Sequence, residues 1–439
     1  MSAFARTARG DGRRAWLSTK TLFLAAVCVF GVAYLALDLN RLYALRYGAD
    51  LGTYAQTLVN LQHGSSWNYG EWRPHFQVHD AWAISLLAPL VWLFPSSEML
   101  VLIQVAAVAC AALVLAAFAR EIGVDSRTAA ILGVAFLLSP CAQGLVYDNF
   151  SDDLFVPLLA FAGALFARRR ALVPTLVIAE LLLGLKEDQM IFVAWFGAAC
   201  ALWWDRRMGL SLLCLAIANA VGYYAYETLL HVRPHDPSYA LVPQHGAGVA
   251  WLVLFLLAPF AFAPLAIGWK RWLLALPLVA EVLFMAPWAY DPTRLGSHYP
   301  GPLLAAFSIA AAFGALRWPR TIPWMIPLGI VSTLFFNDTV LHVGRWPYVV
   351  DWKAYAYALR VRQEPIARTI SREREGLWAV AAVNPRVRLE QRPRPGTVYC
   401  PAYNRSAAAF FGSLHGRMPP RLCQGVPVDA SVPTPAPLP

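Results

Sequence analysis

Charged side chains are scarce in this sequence. Only 14% of the 439 residues are Asp, Glu, Lys or Arg, whereas 58% are hydrophobic. Soluble domains average about 25% charged and roughly 45–50% apolar residues. This composition excludes an ordinary soluble globular domain and indicates an integral membrane protein.

A continuous basic stripe is also missing, although the formal net charge is +10. The Lys and Arg residues stand in short clusters between apolar runs. Such clusters are typical of membrane-topology signals and not of a nucleic-acid-binding surface. We therefore expect no nucleic-acid partner.

A signal-peptide cleavage site is absent as well. Residues 1–20 are basic and precede an uncharged run at 21–37. That run is longer than the ~7–15 apolar residues of a signal peptide, and no A-x-A motif closes it. We interpret residues 1–20 as a cytoplasmic N-terminus and 21–37 as the first membrane span.

Cysteine is rare. Five of the seven cysteines lie inside apolar runs, where they behave as small hydrophobic residues. The other two, Cys400 and Cys423, would form a disulfide only if the C-terminal segment lies outside the cytoplasm. Whether they pair stays open.

Long apolar runs are what the sequence does contain, and each could cross about 30 Å of hydrocarbon as a helix. We predict an all-α integral membrane protein with a bundle of about 11 transmembrane helices over residues 21–340. A C-terminal extracytoplasmic segment at 341–439, either a small domain or a surface arm, ends in a Pro-rich, disordered stretch. The predicted spans are 21–37, 99–119, 128–146, 153–167, 171–185, 189–204, 208–228, 248–268, 271–289, 301–316 and 321–340.

Residues 81–95 decide the topology. They are apolar but short for a span, and they contain Pro89 and Pro95. If they lie in the interface as a re-entrant helix, every later Arg and Lys cluster falls on the side of the basic N-terminus, as the positive-inside rule requires. We predict this arrangement, which leaves a long first outer loop at 38–98 with interfacial helices. The outer loops and the C-terminal segment then hold all nine histidines.

Asp50 follows the first span in the stretch RYGADLGTYAQ. A carboxylate here is either part of a solvated loop or a general base that takes a proton from an acceptor hydroxyl at the membrane surface. We favour the general base.

His75, His79 and Asp80 form a second group, in RPHFQVHDAW. The spacing of four residues would put both imidazoles on one helix face, as in half of a divalent-metal site. Without a third placed ligand, hydrogen-bonded interfacial histidines are the stronger interpretation. A divalent cation therefore stays open, and no other cofactor is expected.

Three further groups lie at the same face. YDNFSDD contributes Asp148, Asp152 and Asp153, which could bind a substrate or merely solvate a loop. GLKEDQ places Lys186, Glu187 and Asp188 between two closely spaced runs, where ionised groups must pair or face water. The last group could bind a lipid-linked phosphate or form an aromatic belt with a snorkelling arginine, and it consists of Arg294, His298 and Tyr299.

Five motifs follow one another in a familiar order: GADLGTYAQTLVNLQHG, HF before a proline-bearing apolar helix ending in LFPSS, YDNFSDDLFVP, LLGLKEDQ and SHYPGPLLAAF. Over about residues 40–320, this order resembles the bacterial membrane family called domain of unknown function 2079. That family is similar to the GT-C superfamily of multispanning glycosyltransferases, which use polyprenyl-phosphate-linked sugars.

The resemblance implies a fold, a reaction and a set of site residues. It implies a GT-C-like bundle in the bacterial inner membrane, a polyprenyl-phosphate-linked sugar as donor, an unidentified acceptor, and Asp50 as the catalytic base. Lys186, Arg73 or Arg294 would stabilise the leaving phosphate. The other substrate-binding candidates that the resemblance carries over are Gln56, His75, Asp148, Glu187, Asp188 and His298.

Two other functions stay open from the sequence. One is a non-enzymatic carrier or flippase of a lipid-linked or small polar solute, which broken helices in pseudo-symmetric halves would favour. The other is a structural partner in envelope assembly that acts through residues 341–439.

Overall fold

The computed structural model describes the membrane region and only short pieces of the C-terminal segment. The described residues are 4–43, 47, 49–68, 71, 73–94, 96–230, 246–268 and 299–336, with 368–371, 382–385, 388–389, 398–400 and 426–427 beyond them.

The described membrane region is almost entirely helical, as the apolar runs predict. Its helices are α1 (Phe4–Tyr43), α2 (Ala49–Asn60), α3 (Ala88–Leu93), α4 (Ser97–Glu121), α5 (Ser126–Leu137), α6 (Pro140–Tyr147), α7 (Val156–Arg168), α8 (Leu172–Leu183), α9 (Gln189–Trp203), α10 (Arg206–Leu230), α11 (Gly246–Leu257), α12 (Gly301–Arg317) and α13 (Ile322–Phe336). A short antiparallel hairpin, β1 (Trp67–Asn68) with β2 (Arg73–Pro74), interrupts the first outer loop.

Helix length limits how many segments cross a bilayer. Three described helical segments are long and apolar enough, namely Thr19–Tyr43, Ser97–Glu121 and Arg206–Tyr226, and two bent helix pairs raise the number to five. Others, such as α8 with 12 residues, would reach only about 18 Å at 1.5 Å per residue. The chain is therefore a multi-pass helical membrane protein, and the span count of about 11 stays a prediction, with 271–289 outside the described residues.

The predicted span 128–146 is a broken helix. Helices α5 and α6 meet at an angle of 54°, because Pro140 cannot donate a backbone hydrogen bond and disfavours the helical conformation of the residue before it. Side chains satisfy the carbonyls freed at the break: Gln143 Nε2 donates to the Leu137 carbonyl, and Thr333 Oγ1 donates to the Leu138 carbonyl, each at 3.0 Å. Helix α13 thereby holds the break in place.

The predicted span 248–268 is also interrupted. Helix α11 ends at Leu257 and is followed by two 3₁₀ turns, Ala258–Phe260 and Ala263–Ile267. Each turn contains a proline in its first positions, and Ala261 and Phe262 between them have left-handed φ angles of 49° and 59°. Proline and this backbone reversal end the helix, although the hydropathy stays high.

The connectors on the side of the N-terminal segment meet at one end of the bundle, termed the basic end. Arg169 Nε lies 2.9 Å from Glu121 Oε2, which joins the connector after α7 to the connector after α4. The rings of Phe118, Trp204 and Phe313 contact one another at centroid distances of 5.9–6.2 Å. The ends of α4, α7, α9 and α12 therefore lie together, as the predicted alternation of spans requires.

Residues 82–93 form a short helical segment, a 3₁₀ turn at Trp82–Leu87 that continues into α3. At ~2.0 and ~1.5 Å per residue, the two parts would together reach only about 21 Å, short of about 30 Å of hydrocarbon. The Ala83 amide donates to the Gly184 carbonyl at 2.8 Å, and Trp92 Nε1 donates to the Leu58 carbonyl at 2.8 Å. These bonds attach the segment to the turn after α8 and to α2.

The described part of the C-terminal segment includes a small mixed sheet. Its strands β3 (Arg368–Ser371), β4 (Arg388–Leu389), β5 (Val398–Cys400) and β6 (Val426–Pro427) stand in the order β4-β3-β5-β6. The first three are parallel, and β6 pairs antiparallel with β5.

Adding a side chain at position 184 is expected to destabilise the fold. A Cβ at Gly184 would overlap the indole ring of Trp82, so Gly184→Ala should cost about 1–3 kcal/mol of unfolding free energy through overpacking. Thermal unfolding of the purified full chain in detergent measures this. The control is Gly31→Ala, where a Cβ meets no atom within 4 Å and the melting temperature should hold or rise. An unchanged melting temperature for Gly184→Ala would contradict the tight contact.

Candidate functional site

Polar side chains from distant parts of the chain converge at the end of the bundle opposite the basic end. They come from the start of α2, the loop between α6 and α7, the turn between α8 and α9, and the residues before α12. We term the group formed by Asp50, Asp148, Asp153, Lys186 and Asp188 the acidic cluster.

Asp50 is the second residue of α2 and is half-buried. A carboxylate in the first turn is stabilised by the positive end of the helix dipole. Its Oδ2 accepts a hydrogen bond from Asn149 Nδ2 at 3.2 Å. The Asp50 charge also acts on the hydroxyls of Tyr54 and Tyr299. The helix start and the Asn149 amide thus orient the Asp50 carboxylate.

Lys186 is the cation of the acidic cluster. Its Nζ lies 3.4 Å from Asp188 Oδ2 and 3.7 Å from Asp153 Oδ2. Gln189 Nε2 donates to the remaining oxygens of the same carboxylates, at 3.2 Å for Asp153 Oδ1 and 2.9 Å for Asp188 Oδ1. Burial alone would lower the pKa of Lys186, but the carboxylates outweigh it and raise the pKa well above the usual value. Lys186 is therefore a permanent cation.

Tyr299 links Lys186 to Asp50. The Lys186 Nζ lies over the Tyr299 ring, 5.4 Å from its centroid, in a cation–π arrangement. Burial raises the pKa of the Tyr299 hydroxyl; the Lys186 charge lowers it, and the carboxylates of Asp50, Asp148 and Asp153 raise it again. The result is a raised pKa, so the phenol stays protonated and can donate a hydrogen bond.

His75 pairs with Glu71, which lies four residues before it in the sequence. The His75 side chain is buried, and its Nδ1 lies 3.0 Å from Glu71 Oε2. Asn68 Nδ2 donates to the same carboxylate at 2.6 Å. Burial would raise the pKa of Glu71, but the His75 and Asn68 contacts lower it overall. The His75 ring packs edge-on against Tyr54 at 4.8 Å, which brings this pair to the α2 side of the site.

His79 pairs with Glu187 across the site. The two side chains approach to 3.1 Å between Nδ1 and Oε1, and the Asp80 amide donates to Glu187 Oε2 at 3.3 Å. Burial would raise the pKa of Glu187, but the His79 contact outweighs it and lowers the pKa to about 2. Burial likewise would lower the pKa of His79, and Glu187 raises it above the usual value. This ion pair ties the first outer loop to the turn after α8.

The metal hypothesis gains no support from this geometry. The Nδ1 atoms of His75 and His79 face different carboxylates, those of Glu71 and Glu187. Among the residues that the structure describes, no group of three or more His, Cys, Asp or Glu side chains could hold a metal ion. Asp80 contributes its backbone amide to Glu187 and joins no such group.

The predicted site residues do not all come together. The structure gathers Asp153 and Asp188 around Lys186, and Lys186 and the carboxylates of Asp50, Asp148 and Asp153 around Tyr299. His75 and Glu187 lie beside this group. Gln56 is buried further along α2. Arg73 is exposed on β2, and no described contact joins it to the acidic cluster. Arg294 and His298 lie outside the described residues.

Sequence reasoning missed several partners. Glu71 stands four residues before His75, so the local sequence GEWRPH is enough to indicate that the two side chains pair. Asn149 lies inside the YDNFSDD motif, but its amide carries no charge and so gives no signal of a functional role. The amide of Gln189, next to Asp188, is also uncharged and gives no such signal. In the structure, Asn149 holds the Asp50 carboxylate and Gln189 holds that of Asp153.

The His79 and Glu187 pair predicts a pH-dependent stability. A raised His79 pKa means that its contribution is complete below the unfolded value of ~6.5 and is lost as the pH rises through the folded value. The Glu187 contribution is complete above ~4.5 and is lost as the pH falls towards about 2. The pair should therefore stabilise the fold most between about pH 4.5 and 6.5.

Thermal unfolding across this range tests the pair. From about pH 6 to about pH 9, the melting temperature of the full chain should fall more than that of His79→Gln. His63→Gln, an exposed histidine in the same loop, should keep the wild-type slope. Identical slopes for wild type and His79→Gln would rule the pair out as the source.

Removing the Lys186 cation is expected to destabilise the bundle. Lys186→Met removes the cation beside the buried Asp153 and the partly buried Asp188, and the loss of one member of such a pair typically costs about 3–5 kcal/mol. The double variant Lys186→Met with Asp188→Asn should recover part of the loss in thermal unfolding. Lys20→Met, an exposed lysine at the basic end, should stay within about 0.5 kcal/mol of wild type. Equal melting temperatures for Lys186→Met and wild type would show that the cation is not required.

Two comparisons bear on relatives. No curated protein matches the sequence. Among solved structures, the chain is similar to ArnT from Cupriavidus metallidurans, whose crystal structure is bound to undecaprenyl phosphate. The two chains share 15% sequence identity, and the TM-score is 0.46 over 83% of this chain and 74% of that chain.

The family comparison covers the segment that carries the whole acidic cluster. Residues 41–225 match the family described as "Predicted membrane protein (DUF2079)". This range contains Asp50, the YDNFSDD loop and the turn at 186–188, and it ends before Tyr299. The resemblance that the motif order indicates is thereby confirmed for residues 41–225.

Proposed function

We propose that the protein is a GT-C-like membrane glycosyltransferase that moves a sugar from a polyprenyl-phosphate donor to an acceptor on the extracytoplasmic face. The observation that carries the proposal is that one loop, between α6 and α7, holds both groups: Asn149 donates to the Asp50 carboxylate at 3.2 Å, and Asp153 lies 3.7 Å from the Lys186 ammonium group. This reaction needs a base and a cation close together at one end of the bundle, at the membrane surface. The motif resemblance supplies the substrate class.

Asp50 is the base in this proposal. An acceptor hydroxyl attacks the anomeric carbon while Asp50 takes its proton, so the oxygen–carbon bond forms as the carbon–phosphate oxygen bond breaks. Direct displacement of this kind inverts the anomeric centre. Asn149 supports the role because its hydrogen bond to Oδ2 restricts the rotation of the carboxylate.

The leaving phosphate takes the bonding electron pair and gains negative charge. Lys186 and the protonated Tyr299 hydroxyl are the described groups that could stabilise it electrostatically. Asp153 and Asp188 keep Lys186 in place and ionised, so no reorganisation is required during the reaction. Of the other two candidates, Arg73 is exposed on β2, and Arg294 precedes Tyr299 in the sequence.

The orientation follows from the two ends of the bundle. Arg169 and the other cations of the connectors lie at the basic end, and the positive-inside rule assigns this end to the cytoplasm. The acidic cluster then faces the outside of a bacterial inner membrane, the side on which the sequence also predicts the segment 341–439. A donor would enter sideways from the outer leaflet.

The carrier alternative has one observation in its favour. The broken helix α5–α6 resembles the discontinuous helices that form substrate sites in transporters. A carrier would move its solute with all covalent bonds intact, whereas the transferase releases free polyprenyl phosphate. Product analysis therefore separates the two.

Replacing the base should abolish transfer without unfolding the chain. The full chain in liposomes would receive a panel of polyprenyl-phosphate-linked sugars and an envelope extract as the source of acceptor, and mass spectrometry would measure the released polyprenyl phosphate. Asp50→Asn should lower the rate by about 10²- to 10⁴-fold, the usual effect of losing a general base.

Asp125→Asn is the matched control. Asp125 caps α5 at the basic end by accepting from the Arg127 and Thr128 amides, and asparagine caps a helix about as well. The same chemical change should leave transfer intact there. Wild-type transfer by Asp50→Asn would refute the base assignment, and translocation of the intact donor by the wild type would favour the carrier.

A further inference from the structure

A groove of about 240 Å³ lies at the basic end, between the start of the α1 span, the end of α4 and the start of α5. Its walls are apolar and include Phe23, Leu24 and Ala130, and its polar rim includes Lys20, Arg120 and Ser126. It is far from the acidic cluster, because Lys20 begins the span whose other end leads to Asp50. The proposed glycosyl transfer has no use for it.

Small residues explain why the groove is open. A Cβ at Gly133 would lie 2.6 Å from Cζ of Phe23, so α1 and α5 touch at this point. Nearer the helix ends, the facing side chains are alanines at 116, 129 and 130. Methyl groups do not fill the space between the three helices, and a ligand-sized volume with apolar walls is left.

The groove mouth is electropositive. Lys20 and Arg120 are both exposed at its rim. Of the two acids in the neighbouring connector, Glu121 pairs with Arg169 at 2.9 Å, and Asp125 caps α5 next to Ser126.

The groove also opens towards the bilayer. Lys20 and Arg120 lie near the ends of two candidate spans, Thr19–Tyr43 and Ser97–Glu121, and so at the membrane edge. Leu24, which lines the groove, is 40% exposed on the outer surface of the bundle. A ligand here would meet cations at the level of the headgroups and hydrocarbon directly beside them.

We propose that this groove binds the headgroup of an anionic phospholipid from the leaflet opposite Asp50. The phosphate lies between Lys20 and Arg120, and the glycerol and first acyl carbons contact Phe23 and Leu24 as the chain leaves along the bundle surface. A free phosphate would leave the apolar walls unused. A zwitterionic lipid would carry a cation of its own to the positive rim.

Native mass spectrometry of the delipidated full chain in detergent tests this site. Phosphatidylglycerol and phosphatidylcholine with identical acyl chains are titrated in parallel, and the wild type should prefer phosphatidylglycerol. Lys20→Gln and Arg120→Gln should each weaken phosphatidylglycerol binding by about fivefold, the usual effect of one basic residue at an anionic membrane surface. The control is Arg127→Gln, which removes an exposed cation of the same connector that does not line the groove, and it should bind like the wild type.

A steric variant completes the test. Ala130→Phe keeps both cations and fills the groove, so it should lower phosphatidylglycerol binding at least as much as Arg120→Gln. The proposal is overturned if Arg127→Gln binds as weakly as Arg120→Gln, if phosphatidylcholine binds as well as phosphatidylglycerol, or if millimolar inorganic phosphate displaces the lipid. Transfer by the acidic cluster is measured separately and does not enter these outcomes.

Discussion

The partly buried charge of Lys186 is the constraint on which the acidic end of the molecule depends. An ammonium group inside an apolar bundle is costly unless carboxylates surround it. Asp153 and Asp188 come from different connectors, and the Tyr299 ring adds a third contact from the start of α12. Satisfying one charge therefore fixes the relative positions of three loops, and the geometry around Asp50 follows from them.

The helices were largely predictable, because a membrane span must be apolar for most of its length. Helix α4 covers Ser97–Glu121 where the apolar run predicts 99–119. The breaks were not predictable from hydropathy, since the prolines at 140, 259 and 264 leave it high. Backbone hydrogen bonding decides where such helices end.

The site could be predicted by residue type and not by contact. Asp50 and Lys186 stand out because ionised side chains are rare in an apolar chain. The bond from Asn149 to Asp50 joins residues 99 positions apart, and no local pattern encodes such a distance. The spacing of His75 and His79 leaves a shared metal open and favours hydrogen-bonded histidines, and in the structure each Nδ1 faces its own carboxylate. The spacing of residues within one segment cannot indicate that His79 pairs with Glu187, which lies in another connector.

The bare backbone at Gly184 has a mechanical consequence. The Trp82 indole occupies the space that a side chain would take, and the Ala83 amide is bonded to the Gly184 carbonyl. The short segment 82–93 and the turn that carries Lys186 are thus joined, and a displacement of one would displace the other. A lipid chain that displaced this segment would also displace the Lys186 ammonium group. Entry of a lipid chain from the bilayer would therefore change the electric field at the acidic cluster.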